Sequence, residues 1–500
     1  MRPNIAQFGL RITCLLAVCS AASGPAALAQ SSGPDSSASD QSVFLPLAAP
    51  LGAPWPPQNG AANAPASADS DPDDSLTLFP HSETSRYWIS GQANIVFQWH
   101  PAFIAAYSGP HSFRAVSESA TSRVFTLYTG YELTPTTELY LDIESAGGHG
   151  LSDSLGMAGY PDLDVVRVGL VSQTPYVARG MIRQVIPLTD QRETEDRGAT
   201  TFTLATTVPT RRIEIRAGKF SMVDFFDTNT YGSDSHLQFL NWSVDNDAAY
   251  DYAANTRGYT DGVMIEYDDH WFSARFAESL MPKVANGINL DADIARARAD
   301  NLEFDFAGNR IRHRPGVFRL LAYLNHADMG NYEESIREFL DHQTATPDIT
   351  ATRQQGRRKY GFDFNVEQEI AKDIGAFGRL GWSDGRNESF AYTECDRTAE
   401  GGVFSQGTRW GRRNDRAGVA VVANGIVAAH QEYLALGGLG FQLGDGGLTY
   451  GLEKIVEAFY TAQVWRGVFV SYDVQHANNP GYNTVRGPVL VSTARLHVDF

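Results

Sequence analysis

The last eleven residues of the chain, 490–500, read LVSTARLHVDF. Side chains alternate along this stretch, so that one set is largely apolar and the other is largely polar. The first set is Leu490, Ser492, Ala494, Leu496, Val498 and Phe500, and the second is Val491, Thr493, Arg495, His497 and Asp499. A period of two indicates a β-strand with one apolar and one polar face. Because the pattern runs to a terminal aromatic residue, it predicts the closing strand of a transmembrane β-barrel, with an edge strand of a soluble domain as the alternative.

The beginning of the chain has the features of a secretory signal. Arg2 and Arg11 come before an apolar run at 12–18, and the sequence Ala-Leu-Ala at 27–29 is a small-x-small cleavage site. We therefore predict that residues 1–29 are a signal peptide and that the mature protein is exported.

Composition argues against nucleic-acid binding and against an internal disulfide. The chain has 40 basic and 58 acidic residues, and the loss of 1–29 leaves 38 basic residues and a net charge of −20. A protein this acidic is not expected to bind nucleic acid. Cys14 and Cys19 leave with the signal, so only Cys395 remains and no internal disulfide can form.

Residues 30–86 are rich in Ser, Ala, Pro, Gly and Asp and show no apolar period. A segment of this composition buries too little surface to offset the loss of chain entropy on folding. We therefore predict a disordered periplasmic segment at 30–86, ahead of a folded domain at 87–500.

Residues 87–500 consist of short alternating runs. The predicted strands are 89–99, 123–133, 138–145, 176–186, 212–220, 262–267, 271–278, 317–325, 360–370, 376–382, 417–423, 433–443, 448–458, 463–475 and 490–500. Short turns, such as 268–270, 371–374 and 444–447, alternate with long polar connections, as in outer-membrane barrels. No apolar run after the signal approaches the roughly 18 residues of a membrane helix. The fold prediction is an all-β, antiparallel transmembrane barrel of about 16 strands, with 18 as the alternative count.

Enzyme chemistry has little support in the sequence. No Gly-x-Ser-x-Gly, His-Glu-x-x-His or clustered set of metal ligands occurs. The carboxylate pairs Asp142/Glu144 and Glu453/Glu457 lie at even spacing, which puts each pair on one face of a strand and predicts polar lining rather than a catalytic dyad. We expect no catalytic residue, no metal and no cofactor. A gated receptor would need an N-terminal plug domain, which 30–86 cannot supply.

Several segments are similar to the carbohydrate-selective porin family of the OprB type. They are RAGKFS at 216–221, DFFD at 224–227, QFLNW at 238–242, YAANTRGY at 252–259, GWSDGR at 381–386 with Glu388, WGR at 410–412, GDG at 444–446, NPGYN at 479–483 and RGP at 486–488. The resemblance spans roughly residues 88–500 and excludes the segment before 87. It implies a water-filled barrel in the bacterial outer membrane, surrounded by lipid, that admits mono- or oligosaccharides to the periplasm by passive diffusion. It also implies that assembly machinery reads Phe500, and a homotrimer is compatible with it.

Sugars offer hydroxyls to charged and amide groups and a C–H face to aromatic rings, so a sugar pore combines these residue types at its narrowing. The connection 224–259 has this mixture, and because a solvated loop has little use for so many aromatic residues, we expect it to fold into the lumen. The predicted sugar-binding residues are Arg216, Lys219, Asp224, Asp227, Asn241, Trp242, Arg257, Trp382, Asp384 and Arg386.

In this hypothesis Arg216, Lys219 and Arg257 bind hydroxyls. Asp224 and Asp227 orient these cations, and Trp242 or Trp382 offers a ring face. For any one of these residues the alternative is a place in the interfacial aromatic girdle or on a solvated loop. For the whole protein the alternatives are a general diffusion porin and a structural or adhesin barrel.

Overall fold

The computed structural model describes residues 76–82, 85–165, 174–194, 202–205, 207–309 and 313–500. The predicted signal peptide, 1–29, and residues 30–75 of the predicted linker lie outside the described residues. The strands are β1 Tyr87–His100, β2 Glu118–Thr134, β3 Thr137–Gly148, β4 Tyr176–Pro187, β5 Arg192–Thr194, β6 Thr207–Pro209, β7 Arg212–Phe220, β8 Thr260–Asp269, β9 Phe272–Leu280, β10 Arg298–Asn309, β11 Pro315–Met329, β12 Gln354–Ala371, β13 Ile374–Ser383, β14 Arg397–Gln406, β15 Arg416–Gly425, β16 Glu453–Trp465, β17 Val468–Asn478 and β18 Val489–Asp499. Three short helices lie in connections: α1 Trp242–Asp245, α2 Tyr332–Leu340 and α3 Ala428–Ala435.

Sixteen of these strands form a closed antiparallel barrel, and β5 and β6 form a separate two-stranded sheet. Going around the wall, each strand pairs with the wall strands before and after it in the chain, and β18 pairs with β1 to close the ring. The closing register runs from Gln92 opposite Asp499 to Trp99 opposite Ser492. Closure leaves the sheet without a free edge. The predictions of a 16-stranded barrel and of a closing strand at the C-terminus are confirmed.

Alternation along each strand decides which side chains meet the lumen. On β18, Arg495 and His497 are buried inside the barrel, whereas Leu490 and Leu496 are about 40% exposed on the outer face. β1 shows the same division, with Asn94 buried and its outward neighbours exposed. This is the arrangement of a barrel whose outer face meets lipid and whose inner face is polar. In the part of the chain that the structure describes, no helix is both long and apolar enough to cross a membrane.

The two ends of the barrel differ. At one end, here called the short-turn end, the connections 135–136, 270–271, 372–373 and 466–467 each have two residues. At the other, here called the loop end, the connections are long and hold all three α-helices. Three connections at the short-turn end are longer: 310–314 has five residues, 407–415 has nine, and 188–211 has 24 and contains β5 and β6.

The predicted strand map is wrong or incomplete at several positions. The predicted strand at 433–443 is the end of helix α3 followed by a loop, because Tyr433, Leu434 and Leu443 pack into a small apolar cluster with residues of α2 instead of facing lipid. The strands predicted at 448–458 and 463–475 are displaced, since β16 and β17 turn at 466–467 and the predicted turn 444–447 belongs to the loop end. Strands β10 and β14 were not predicted.

The described part of the predicted linker lies against the barrel. The backbone N–H of Leu78 donates to the carbonyl of Asp499 over 2.9 Å, at the short-turn end of β18. The guanidinium Nε of Arg86 donates to the carbonyl of Glu132 on β2 over 3.0 Å. Residues 76–82 and 85–86 are therefore attached to the barrel rim, although the sequence predicted disorder up to residue 86.

Candidate constriction and solute-binding site

The connection 221–259, here called the inner loop, lies inside the barrel. Its Asn229 amide donates to Asn365 on β12 over 2.8 Å, and the backbone N–H of Leu240 donates to Glu457 on β16 over 2.6 Å. Arg495 of β18 donates to the carbonyl of Gln238 over 2.9 Å. Since β12, β16 and β18 occupy different sectors of the wall, the loop extends across the lumen. The prediction that this connection folds inward is confirmed.

A buried arginine of the wall holds two limbs of the inner loop. The Nε of Arg379 on β13 lies 2.7 Å from an Asp227 carboxylate oxygen, and Nη2 donates to the hydroxyl of Ser233 over 2.6 Å. Nη1 donates to the carbonyl of Val244 over 3.0 Å, and Glu400 on β14 forms a second ion pair. Buried charges persist only when paired and hydrogen bonded in this way. Asp227 is thus a structural anchor, and its cation is Arg379 rather than one of the three predicted cations.

Two further predicted site residues belong to the packing of the inner loop. Asn241 caps α1 by accepting from the N–H of Ser243 over 3.0 Å, and its own amide donates to Gln475 on β17 over 2.8 Å. The ring of Trp242 stacks on Tyr392 with centroids 5.5 Å apart, and it is 9% exposed. Both side chains therefore shape the loop, and the Trp242 ring is covered by protein.

The carboxylate pairs also hold inward segments. Glu453 accepts from the backbone N–H of Gly159 over 2.6 Å and of Gly481 over 2.8 Å. Glu457 accepts from Leu240, as described, and from Asn241 over 3.2 Å. These carboxylates face inward, as predicted, and they anchor loops to the wall.

Arg216 is part of a buried charge network in the wall. Its guanidinium lies 2.7 Å from Glu214 and 3.4 Å from Glu266, and it covers the Phe225 ring at 5.0 Å. Arg183 and Arg275 extend the network along neighbouring strands. With carboxylates on two sides and an aromatic ring on a third, Arg216 is enclosed by protein.

Three cations and two tyrosine rings meet where β3, β4 and β7 approach the end of the inner loop. This cation–tyrosine cluster consists of Glu144, Tyr176, Arg179, Lys219, Asp224, Arg257 and Tyr259. The Arg257 guanidinium lies 3.6 Å from the Tyr176 ring centroid, and the Arg179 guanidinium lies 5.3 Å from that of Tyr259. The Lys219 ammonium lies 6.0 Å from the Tyr259 ring. Such distances are those of cation–π contacts.

Two carboxylates organise the cluster. Glu144 accepts from the Tyr259 hydroxyl over 3.0 Å and from the Tyr176 hydroxyl, which fixes both rings. Asp224 binds Arg179 through two hydrogen bonds of 2.7 Å. Tyr176 and Arg257 remain partly exposed. The cluster thus presents charged donors and ring faces side by side, and it contains Lys219, Asp224 and Arg257 of the predicted site.

Three predicted residues lie elsewhere. Trp382 stacks on Phe362 with centroids 5.0 Å apart, and Phe362 is 54% exposed on the outer face. The prediction of a pore-facing ring at this position is wrong, because Arg379 points inward and residue 382 falls in the opposite set of β13. Asp384 and Arg386 belong to the connection 384–396 at the loop end. There the N–H of Asp384 donates to the Tyr360 carbonyl over 3.0 Å, and the Arg386 side chain is exposed.

Sequence reasoning missed Tyr176 and Arg179, which it placed inside or at the start of a regular strand. Residues three apart on a regular strand face opposite sides, yet here both face the lumen. The register of β3 with β4 shifts between Asp142, opposite Arg179, and Ile143, opposite Val177, so Ala178 is an extra residue. This β-bulge returns Tyr176 to the inward set. The neighbouring Asp142/Glu144 pair was the signal in the sequence that could have located the cluster.

A histidine of the inner loop contacts the preceding loop. The Nε2 of His236 lies 3.5 Å from an Asp164 carboxylate oxygen, and its ring stacks on His497 of β18 at 5.2 Å. Burial lowers the pKa of His236, but Asp164 raises that pKa more strongly, to about 9. The imidazolium form is therefore the stable one at neutral pH. Among the described residues, no group of three or more His, Cys, Asp or Glu side chains is arranged to bind a metal ion.

Comparison with known proteins adds the family. A family model described as carbohydrate-selective porin, OprB family, matches residues 111–500. Among solved structures, the chain is similar to the high-pH structure of Pseudomonas putida OprB, with a TM-score of 0.63 and 15% identity over 83% of this chain and 94% of that one. The low-pH structure of Pseudomonas putida OprB has a TM-score of 0.44 and 12% identity over 83% of this chain and 92% of that one. The outer membrane channel DcaP of Acinetobacter baumannii has a TM-score of 0.44 and 7% identity over 83% of this chain and 97% of that one. The first of these similarities shows a shared fold. No curated protein matches the chain.

Proposed function

The chain belongs to the OprB family of carbohydrate-selective porins, and we propose that its cation–tyrosine cluster is where the channel binds sugars. The protein is an outer-membrane β-barrel porin that admits carbohydrates. Family and barrel together indicate a channel rather than an enzyme. Transport through such a barrel is passive diffusion down the sugar gradient, so that the binding site sets selectivity without supplying energy.

The ends of the barrel give the direction of transport. In outer-membrane barrels the short turns face the periplasm and the long loops face the outside. Sugars therefore enter at the loop end and pass the inner loop. The cluster lies at the loop ends of β3, β4 and β7, so in this proposal an incoming sugar meets it early in its path.

The observation that carries the proposal is the position of Arg257 over the Tyr176 ring, in a partly exposed site. The oxygens of a sugar lying there would accept hydrogen bonds from the guanidinium while its C–H face packs on a tyrosine ring. Glu144 and Asp224 are already engaged with the tyrosine hydroxyls and with Arg179. The rings and cations are consequently held in place before a sugar arrives, which lowers the entropy cost of binding.

Sugar block of the ion current tests the proposal. Single channels of the unaltered protein are recorded in planar bilayers while glucose or maltose is titrated. One charge-assisted hydrogen bond contributes about 1.5–3 kcal/mol, so Arg257→Ala is expected to weaken block by roughly tenfold or more. Lys454→Ala is the control, because Lys454 is an exposed cation on the outer set of β16.

The outcomes separate the alternatives. Normal block in Arg257→Ala with ordinary conductance would place the sugar site elsewhere in the lumen. Absence of block in the unaltered channel would favour a general diffusion porin, and absence of conductance would favour a structural or adhesin barrel. Lys219→Ala belongs to the same series, and a smaller loss of block is expected because its ammonium is farther from the nearest ring than the Arg257 guanidinium is.

The barrel also implies partners that are part of this proposal. The outward apolar set of each strand would contact the hydrocarbon of the outer membrane. A homotrimer would cover part of that surface in each copy. Native mass spectrometry of protein extracted in mild detergent distinguishes a trimer from a monomer.

A further inference from the structure

We propose that residues 202–205, here called the wedge, form a second narrowing of the channel on the periplasmic side of the inner loop. The wedge belongs to the connection 188–211, at the end where four other connections have only two residues. A barrel needs only a tight turn to join two neighbouring strands at this end. Joining β4 to β7 therefore does not explain why this connection is so long.

The wedge is fixed to inward-facing charges of the wall. The carboxylate of Glu138 on β3 accepts from the backbone N–H of Leu204 over 3.3 Å and of Ala205 over 2.9 Å. Arg183 on β4 donates to the hydroxyl of Thr203 over 2.7 Å. Glu138 and Arg183 are buried and lie 3.0 Å apart as an ion pair. Because both face the lumen, the wedge lies inside the barrel and not below its rim.

The wedge makes apolar contacts with the inner loop and with the barrel wall. The ring of Phe202 lies 5.6 Å from that of Phe225, which belongs to the inner loop. On the opposite side of the wedge, Leu204 packs against Gly130 of β2, where a Cβ would come within 3.1 Å of it. Phe202, Thr203 and Leu204 are all at least 97% buried. The wedge therefore occupies the sector of the lumen beside β2, β3 and β4 and touches the loop that enters from the other end.

One arginine joins the wedge to the cation–tyrosine cluster. The Arg179 guanidinium lies 5.0 Å from the Phe202 ring and 5.3 Å from the Tyr259 ring. The Phe202 ring is covered by protein and packs against Phe225 of the inner loop, so the wedge narrows the path toward the periplasm by filling this sector of the lumen. Because the wedge is anchored through backbone N–H groups to a paired carboxylate, it acts as a fixed restriction of pore width and limits the size of sugar that passes.

Phe202→Ala tests this role by removing the ring while keeping the anchoring backbone. Pore width sets the conductance, so we expect the single-channel conductance in salt alone to rise by a factor of roughly two and a trisaccharide to enter faster than in the unaltered channel. Phe276→Ala, at a 44% exposed site on the outer face of β9, is the matched control and leaves both unchanged. Since the conductance is measured without sugar, failure of the proposed sugar site would not affect this result.

A cysteine at the partly exposed end of the wedge gives an independent readout if Phe202→Ala assembles poorly. Cys395, the one cysteine beyond residue 29, is buried, whereas Ala205 is partly exposed, so Ala205→Cys supplies the accessible thiol. A methanethiosulfonate reagent with a bulky charged group, added from the periplasmic side, is expected to lower the conductance of Ala205→Cys and to leave the unaltered channel unchanged. Unaltered conductance in Phe202→Ala, or modification of Ala205→Cys without effect on current, would overturn the proposal.

Discussion

The guanidinium of Arg379 on β13 lies 2.7 Å from the carboxylate of Asp227 in the inner loop, and neither side chain is exposed to solvent. The same guanidinium donates to the carbonyls of Val244 and Asp245 on the returning limb of the loop. One wall residue thus joins two segments that are almost twenty residues apart, and the shape of the constriction depends on it.

Arg379→Ala should release the inner loop while leaving the barrel wall intact. Removing one partner of a buried ion pair costs about 3–5 kcal/mol, because the other charge remains buried and unpaired. We expect a higher mean conductance and larger current fluctuations in planar bilayers. The control is Arg314→Ala, whose partner Glu369 is 2.8 Å away at a partly exposed site, where a pair contributes about 0–1 kcal/mol. Quiet channels of normal conductance in Arg379→Ala would contradict the anchoring role.

The attachment of the inner loop should depend on pH through His236. Its pKa is raised to about 9 by Asp164, with smaller effects of Asp234 and Asp499, against the lowering effect of burial. A raised pKa means that the stabilisation is fully present below about pH 6.5 and is lost as pH rises through 9. The pKa of Asp164 is lowered by His236, against the desolvation that would raise it, so its contribution is present above about pH 4 and is lost only in more acid solution.

Current fluctuations of the unaltered channel are therefore expected to increase between pH 7 and pH 10. In His236→Gln the fluctuations should already be larger at pH 7 and should change less over this interval. His270→Gln, in an exposed two-residue turn at the short-turn end, serves as the control. Equal pH dependence in His236→Gln and in the unaltered channel would show that another group controls the loop.

Phe500 should be needed for assembly of the barrel. Its backbone N–H donates to the carbonyl of Gly91 over 2.8 Å, and its carbonyl accepts from the Ser90 hydroxyl over 2.8 Å, so the terminal residue is docked on β1. We expect Phe500→Ser to reduce the amount of heat-modifiable barrel in outer-membrane fractions. Leu496→Ser changes an equally exposed apolar residue of the same strand face. A similar loss in both variants would indicate a general need for apolar surface and not recognition of the terminus.

Residues 1–29 should be absent from the mature protein. The basic start, the apolar run 12–18 and the Ala-Leu-Ala site at 27–29 predict cleavage after Ala29. Mass spectrometry of protein purified from outer membranes should therefore find Gln30 at the N-terminus. Detection of Met1 or of an uncleaved N-terminal peptide would contradict this prediction.

Strand periodicity predicted most of the wall and failed where glycine or loop packing interrupted it. In β14, Gly401 and Gly402 stand in the middle of the strand, so neither the apolar nor the polar set is visible there. The run at 433–443 has enough apolar residues for a strand, but Gly437, Gly438 and Gly440 interrupt it. Its apolar side chains are buried by other loops, a contact that the local pattern cannot reveal.

The site was harder to predict than the fold for a related reason. Composition located the inner loop correctly, because aromatic residues beside charges are unusual in a solvated connection. It could not show that Asp227 is bound by Arg379, 152 residues later in the chain, or that Asp224 is bound by Arg179. Nor could it detect the bulge at Ala178. Which charges remain available to a solute depends on these distant pairings.

The seam between β1 and β18 also imposes an order on the making of this protein. Every other pair of neighbouring wall strands is consecutive in chain order, apart from the small strands β5 and β6. Trp99 and Ser492, which pair across the seam, are 393 positions apart in the chain. Hairpins can form as soon as both of their strands have been exported, but the seam cannot form before β18 is present. In hydrocarbon, each unpaired backbone group at an open edge of the sheet would cost roughly several kcal/mol. A chain cut anywhere before β18 would keep two such edges, so we expect the barrel to enter the lipid only when β18 can pair with β1.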